Sequence, residues 1–316
     1  MNFGKIFVAG HRGMVGSAIL RKLIKINYKH QVCTIDKNKL NLIDQNKTYA
    51  YLKKIKPDTI IIASARVGGI KANSDFPAEF IYENLQIQNN IINSAYLVGV
   101  KKILFLGSSC IYPKNTKQPI SEDMLLSGKL EKTNESYALS KIAGIKLCES
   151  YNIQYRTDFR SVMPTNLYGL NDNYDVQNGH VIPSLIRRFH EAKIKNAESI
   201  KIWGSGLQKR EFLYVEDMVD ACFSILKLSK KKFKEISYNQ SYINIGYGKD
   251  ISIKKLSLLI SKTVNFKGKI IFDKKKLEGV KRKLLDNSKL IKLGWAPKTD
   301  LNKGLEITYR DFLRKI

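Results

Sequence analysis

Acidic residues, arginine and cysteine are scarce in this chain of 316 residues, and long apolar runs are missing. Only 28 Asp+Glu face 55 Lys+Arg, a formal net charge of +27. Such an excess fits nucleic acid, an acidic membrane surface or an anionic small molecule. Arginine supplies just 11 of the 55, however, whereas readers of base edges depend on arginine forks. The lysines are dispersed, with short runs such as Lys230-Lys231-Lys232 and no interleaved aromatics. A solvated lysine-rich surface around a pocket for a phosphorylated substrate is expected, with no nucleic-acid partner. The cysteines are Cys33, Cys110, Cys148 and Cys222, scattered with no CxxC pair, so neither a disulfide framework nor a zinc site is suggested and no metal is expected. No stretch approaches the ~18 apolar residues of a membrane helix, so no membrane partner is expected. Met1 to Ile6 runs straight into a strand-like segment without the flanks of a leader peptide. A cytoplasmic location is expected.

What is present reads as an enzyme of the α/β class. With 43% hydrophobic and 26% charged residues the chain has globular composition, and its length gives room for about two domains. Lys5 to Gly10, Gln31 to Ile35, Thr59 to Ala63 and Lys102 to Gly107 read as strands. Helical patterns run from Ser17 to about Ile26, from Pro77 to Val98 and from Tyr137 to about Tyr151. Short connections between them predict a doubly wound, Rossmann-type parallel sheet with helices on both faces. After Pro164 the rhythm breaks and loops lengthen between Tyr168 and Gly179. The expected division is a dinucleotide-binding domain over 1–166, with a returning strand near 242–246, and a smaller α+β substrate lobe over 167–316.

Two motifs carry chemistry. Gly10, Gly13 and Gly16 punctuate the turn between the first strand and first helix, with His11, Arg12, Met14 and Val15 between them. A dinucleotide pyrophosphate needs a tight turn, close backbone approach and a helix N-terminus, and glycines permit all three. The second motif, Tyr137-Ala138-Leu139-Ser140-Lys141, places Tyr137 and Lys141 on one helical face. A lysine cation there is expected to lower the phenol pKa towards the range of a working general acid. Ser108 and Ser109 lie just past the fourth strand, at a carboxyl end, where ligands of such sheets sit.

In these motifs the chain resembles the extended short-chain dehydrogenase/reductase family, and within it the GDP-L-fucose synthases. The resemblance extends nearly end to end. It is carried by Gly10–Ser17, Arg66–Ile70, Gly107-Ser-Ser-Cys-Ile-Tyr-Pro-Lys114, Met163–Gly169, His180-Val-Ile-Pro183, Arg187–His190, Lys209–Leu213, Arg282–Asp286 and Leu293–Trp295. It implies a reductase set of Ser108, Tyr137 and Lys141, and an epimerising acid/base pair of Cys110 and His180. It further implies cofactor contacts at Gly10 through Gly16, at Leu106, Gly107 and Ser109, at Lys141, and at Pro164, Thr165, Asn166 and Leu167. Arg188, Trp203, Arg210 and Lys283 fall where the family holds its GDP-sugar. Trp203 could equally pack in the core.

The implied cofactor is NADP(H). The second strand ends in Asp36-Lys37, and an acid there usually bonds the ribose hydroxyls of NAD. Arg12 and Lys37 are placed to hold a 2′-phosphate, with Asp36 turned away or paired to one of them. The implied substrate is a GDP-4-keto sugar and the implied assembly a homodimer. Two activities fit: NADPH-dependent 3,5-epimerisation and 4-reduction of GDP-4-keto-6-deoxymannose to GDP-L-fucose, or C4 reduction alone on a related GDP-4-keto sugar such as a modified heptose.

Overall fold

A parallel strand covered by helices on both faces has to be apolar at every position. Ile6-Phe7-Val8-Ala9 and Thr59-Ile60-Ile61-Ile62 meet that demand, and all eight residues are buried. The structure, a computed structural model, describes residues 3–176, 179–275 and 280–316. Residues 177 and 178, within the long loop expected at 168–179, and 276–279 lie outside the described residues.

The first half runs β1 (Ile6–Ala9), α1 (Met14–Lys25), β2 (Val32–Cys33), α2 (Gln45–Ile55), β3 (Thr59–Ile62), α3 (Ile70–Asp75), α4 (Pro77–Leu97), β4 (Lys102–Leu106), α5 (Glu135–Tyr155) and β5 (Asp158–Pro164). The second half runs β6 (Asn166–Tyr168), α6 (Val181–Ile194), β7 (Ser199–Trp203), β8 (Lys209–Tyr214), α7 (Val215–Lys227), α8 (Lys230–Ile236) and β9 (Tyr242–Ile245). It ends with β10 (Asp250–Ser252), α9 (Ile253–Val264), β11 (Lys269–Asp273), β12 (Arg282–Lys283), α10 (Ser288–Lys292) and α11 (Leu301–Leu313).

Six strands form one parallel sheet in the order β2-β1-β3-β4-β5-β9. The chain winds outward from β1 to β2, then reverses to β3 on the other side. That reversal opens a crevice at the carboxyl ends of β1 and β3, where ligands of such sheets bind. The doubly wound sheet is as expected, with shifted boundaries. The second strand keeps only Val32 and Cys33 in the ladder, the first helix starts at Met14, and α5 extends at both ends of its expected span.

Alternation along the strands feeds two cores. Ile6 and Val8 join Ile19 and Leu23 of α1 and Met218 and Leu226 of α7. Phe7, Ile60 and Ile62 join Leu52, Ile91 and Ile145 from α2, α4 and α5. Each fully buried side chain of this size contributes ~1.5–3 kcal/mol. A third core, with Ile186, Phe189, Leu256, Ile260 and Phe312, packs α6, α9 and α11 into the lobe. There β8 is flanked by antiparallel β10 and by parallel β12 and β6, and β11 pairs with β7.

One buried cation fastens β5 to the layer above it. Arg160 is fully buried, paired through Nε and Nη2 to Asp158 at 2.7 and 2.8 Å. It also donates to the carbonyls of Ile225 and Leu228 and lies over the Phe233 ring at 4.6 Å.

Candidate active site

The glycine turn follows from sterics. Gly10 has φ +84°, and a Cβ there would lie 2.6–2.7 Å from the backbone of Ser64 and Ala63 at the end of β3. A Cβ on Gly16 would meet the Gly10 carbonyl oxygen at 2.1 Å. These contacts bring β1, β3 and α1 together at the crevice. The first turn of α1 has no side-chain cap and no acidic residue, so its N–H groups are left open to an anion. A cradle of bare backbone at a helix start fits the pyrophosphate of a dinucleotide.

Beyond the cradle, Asp36 forms a cluster with the two residues after Gly10. Arg12 contacts it through Nε at 2.7 Å and Nη2 at 2.8 Å, and His11 Nε2 lies 3.2 Å from Oδ1. Of the two arrangements open to Asp36, the paired one is present. Asn171, in the loop after β6, donates to the Arg12 carbonyl at 2.7 Å. Pro164 ends β5, and Thr165 and Asn166 donate to the Glu211 carbonyl at 3.1 and 2.9 Å.

Where β4 ends, Ser108 caps a single 3₁₀ turn over Ser109–Ile111, its Oγ accepting from the Cys110 N–H at 3.1 Å. Tyr137 enters from the first turn of α5, with Phe80 edge-on at 6.3 Å. Burial pushes the Tyr137 pKa up, nearby Cys110 adds to that, and a hydrogen bond with Ser108 pulls it back in part. The expected lowering by Lys141 is therefore not found. The Lys141 ammonium donates instead to the Leu106 carbonyl at 2.8 Å, lies 4.9 Å from the Phe105 centroid and stays 5.9 Å from the Tyr137 centroid. Its own pKa is pushed down to about 7 by burial. Tyr137 thus stays a protonated phenol, a donor to an oxygen placed before it and Ser108.

Cys110 is close enough to act on the charge of Arg210 as well as Tyr137, which brings β8 up to the turn after β4. His180 is the residue before α6, just past the loop. The residue as a whole is exposed, while desolvation by the groups around its ring lowers its pKa from the ordinary value and favours the neutral form.

Cations gather on the lobe side. Arg210 pairs in register with Lys283, so neighbouring parallel strands carry two positive side chains at one rung. Like charges placed so destabilise a sheet unless an anion joins them. Burial lowers the Arg210 pKa, and Lys283 is 9% exposed. Arg188 on α6 donates to the Lys201 carbonyl and is likewise lowered by burial. Trp203 ends β7 with 56% of its surface exposed, which removes the core-packing reading.

Sequence reasoning missed Glu211. It is fully buried in β8, and its carboxylate accepts from the Gly248 and Leu285 N–H groups at 2.6 and 3.0 Å. Burial raises its pKa against those opposing N–H groups. An acid inside the apolar run after Arg210 was the available signal.

Residues 6–245 match the NAD dependent epimerase/dehydratase family. The chain is 49% identical over 314 residues to the GDP-L-fucose synthase of Escherichia coli K12, covering 99% of this chain and 98% of that one. Among solved structures it is similar to a GDP-6-OMe-4-keto-L-xylo-heptose reductase from C. jejuni, with TM-score 0.93, 33% identity and coverage of 100% and 99%. It is also similar to a GDP-mannoheptose C4 reductase from Campylobacter jejuni with NADP bound, at TM-score 0.87, 34% identity and 98% of each chain. By its glycine cradle, its parallel sheet and this match across most of its length, the chain belongs to the NAD dependent epimerase/dehydratase family.

Proposed function

We propose that the protein converts GDP-4-keto-6-deoxymannose to GDP-L-fucose, epimerising C3 and C5 and then reducing C4 with NADPH. The observation that carries this reading is the meeting of Ser108, Tyr137 and Lys141 at the end of β4 with Cys110 two residues beyond the serine. The 49% identical relative named GDP-L-fucose synthase supports the sugar. The heptose reductases, at 33% and 34%, support C4 reduction alone less well.

Each residue type suits its step. Carbons 3 and 5 flank the C4 ketone, so their protons become acidic once the enolate oxygen is stabilised. The Ser108 and Tyr137 hydroxyls donate to that oxygen. Inversion needs a base on one face and an acid on the other, which Cys110 and His180 supply, with His180 held neutral by its surroundings. Tyr137, kept protonated by burial, then delivers a proton to O4. Bound NADPH supplies the hydride. Gly10 to Gly16, Leu106 to Ser109 and Pro164 to Leu167 hold the cofactor, and Arg188, Trp203, Arg210 and Lys283 hold the GDP-sugar. Residues 1–166 serve the cofactor and 167–316 mainly the substrate.

The enzyme works as a homodimer. Tyr82 and Leu97 on α4 and Leu139 and Ile153 on α5 expose apolar surface suited to a second copy, which sedimentation can count. No helix among the described residues is long and apolar enough to cross a membrane, and a reactive thiol suits a reducing cytoplasm. The test is NADPH consumption with GDP-4-keto-6-deoxymannose in D2O. Deuterium on C3 and C5 of the product is expected. Product without it leaves C4 reduction alone. In Cys110→Ser the exchange drops by orders of magnitude while NADPH is still consumed with the unepimerised ketone.

A further inference from the structure

An acid at the end of the second strand and an arginine in the glycine turn are usually alternatives. The acid accepts from the free 2′-hydroxyl of NAD, and the arginine accommodates the 2′-phosphate of NADP. This chain has both, and they hold each other. Arg12 engages Asp36 with two nitrogens at 2.7 and 2.8 Å, the bidentate geometry a guanidinium also offers phosphate. His11 approaches the same carboxylate at 3.2 Å. The Asp36 side chain is 24% exposed and the Arg12 side chain 75%, so the carboxylate sits inward and the guanidinium reaches over it.

We infer that Asp36 is a specificity-determining residue that keeps this enzyme's preference for NADPH over NADH small. The inference rests on the NADP(H) reading above. A 2′-phosphate that takes Arg12 has to share the guanidinium with Asp36 and sit beside its negative charge. A free 2′-hydroxyl meets neither penalty and finds an acceptor already held by Arg12 and His11. The same carboxylate therefore weakens the phosphorylated cofactor and strengthens the unphosphorylated one. Lys37 adds positive charge next to it and keeps the balance on the side of NADPH.

Equilibrium binding separates this from a general effect on catalysis. Calorimetry with adenosine 2′,5′-bisphosphate and with 5′-AMP, and with NADP+ and NAD+, gives a Kd ratio for the 2′-phosphate. In the wild type that ratio is expected within about tenfold. Asp36→Asn removes the charge and keeps the shape, and should widen the ratio about tenfold, with the phosphorylated ligand tightening and the other weakening. Asp36→Thr, a second variant should the first fold poorly, should move it the same way. In Arg12→Ala the ratio should collapse towards unity, and adding Asp36→Asn to it should change the ratio less than in the wild type, since the two residues act as a pair. The kcat/KM ratio for NADPH and NADH should follow the Kd ratio. An Asp36→Asn ratio within twofold of wild type, or a narrower one, overturns the inference while leaving the NADP(H) reading intact. Failure of the wild type to bind either dinucleotide overturns both.

Discussion

The two walls of the cleft are built from opposite materials. The cofactor wall is bare backbone over an apolar sheet: Gly10 and Gly16 let three elements touch, and β1 and β3 beneath them are wholly buried. The wall proposed for the substrate carries side-chain charge, with Arg210 and Lys283 on one rung and Arg188 on α6. Backbone contact is set by sterics and fails abruptly when an atom is added. Charge held at close quarters costs stability and is relieved by an anionic ligand. The first wall is therefore set by sterics alone, while the second gains stability when an anion joins its cations.

Substitutions can break or sharpen that contrast. The largest effect is expected between the walls, at Tyr137→Phe, where loss of the proton donor should lower C4 reduction by about 10²–10⁴-fold. NADPH-coupled turnover above about a tenth of wild type would remove Tyr137 from that role. Next comes Gly16→Ala. With a Cβ 2.1 Å from the Gly10 oxygen, the turn has to open, and dinucleotide binding by calorimetry should fall at least tenfold with a loss of ~2 kcal/mol in denaturant unfolding. Lys283→Met probes the other wall and should have two signs. GDP should bind about tenfold more weakly, while the unliganded protein becomes no less stable, because a like-charge pair has gone. A drop in both would make Lys283 structural.

Lys141 is read through pH. Its folded pKa is about 7 against an ordinary 10.5, so between those values the unfolded chain holds a proton that the folded one lacks. The contribution of Lys141 should make stability rise with pH across that window, by up to ~1.4 kcal/mol per unit, with its destabilisation fully present below pH ~7. Lys141→Met should lose activity and be more stable than wild type near pH 7, with the advantage shrinking towards pH 10. An advantage constant with pH would mean that the lysine is not desolvated.

The contrast between walls is also a contrast in legibility. The glycine turn, the all-branched β3 and the Tyr137/Lys141 spacing are local patterns, and the sheet they imply is present. The substrate wall is non-local. β12 pairs with β8 across more than seventy residues, and no period in either strand announces it. Strand β2 keeps only Val32 and Cys33 in the ladder, and the pairing of Asp36 with Arg12 and His11 beyond it is a side-chain contact that no strand pattern announces. The direction of the Tyr137 pKa is set by burial, and the Lys141 ammonium is turned to the Leu106 carbonyl; spacing along a helix fixes neither.

Glu211 bears on how the lobe is joined to the sheet. Its carboxylate and carbonyl together fasten Thr165 and Asn166 from the sheet side, Gly248 after β9, and Leu285 after β12. Swinging the lobe away as a rigid body would strand a fully buried acid and several N–H donors at once, a cost several times that of one lost hydrogen bond. The joint behaves as a weld and not a hinge. The frame that sets Tyr137 against the cofactor crevice therefore carries the floor of the lobe with it as one piece.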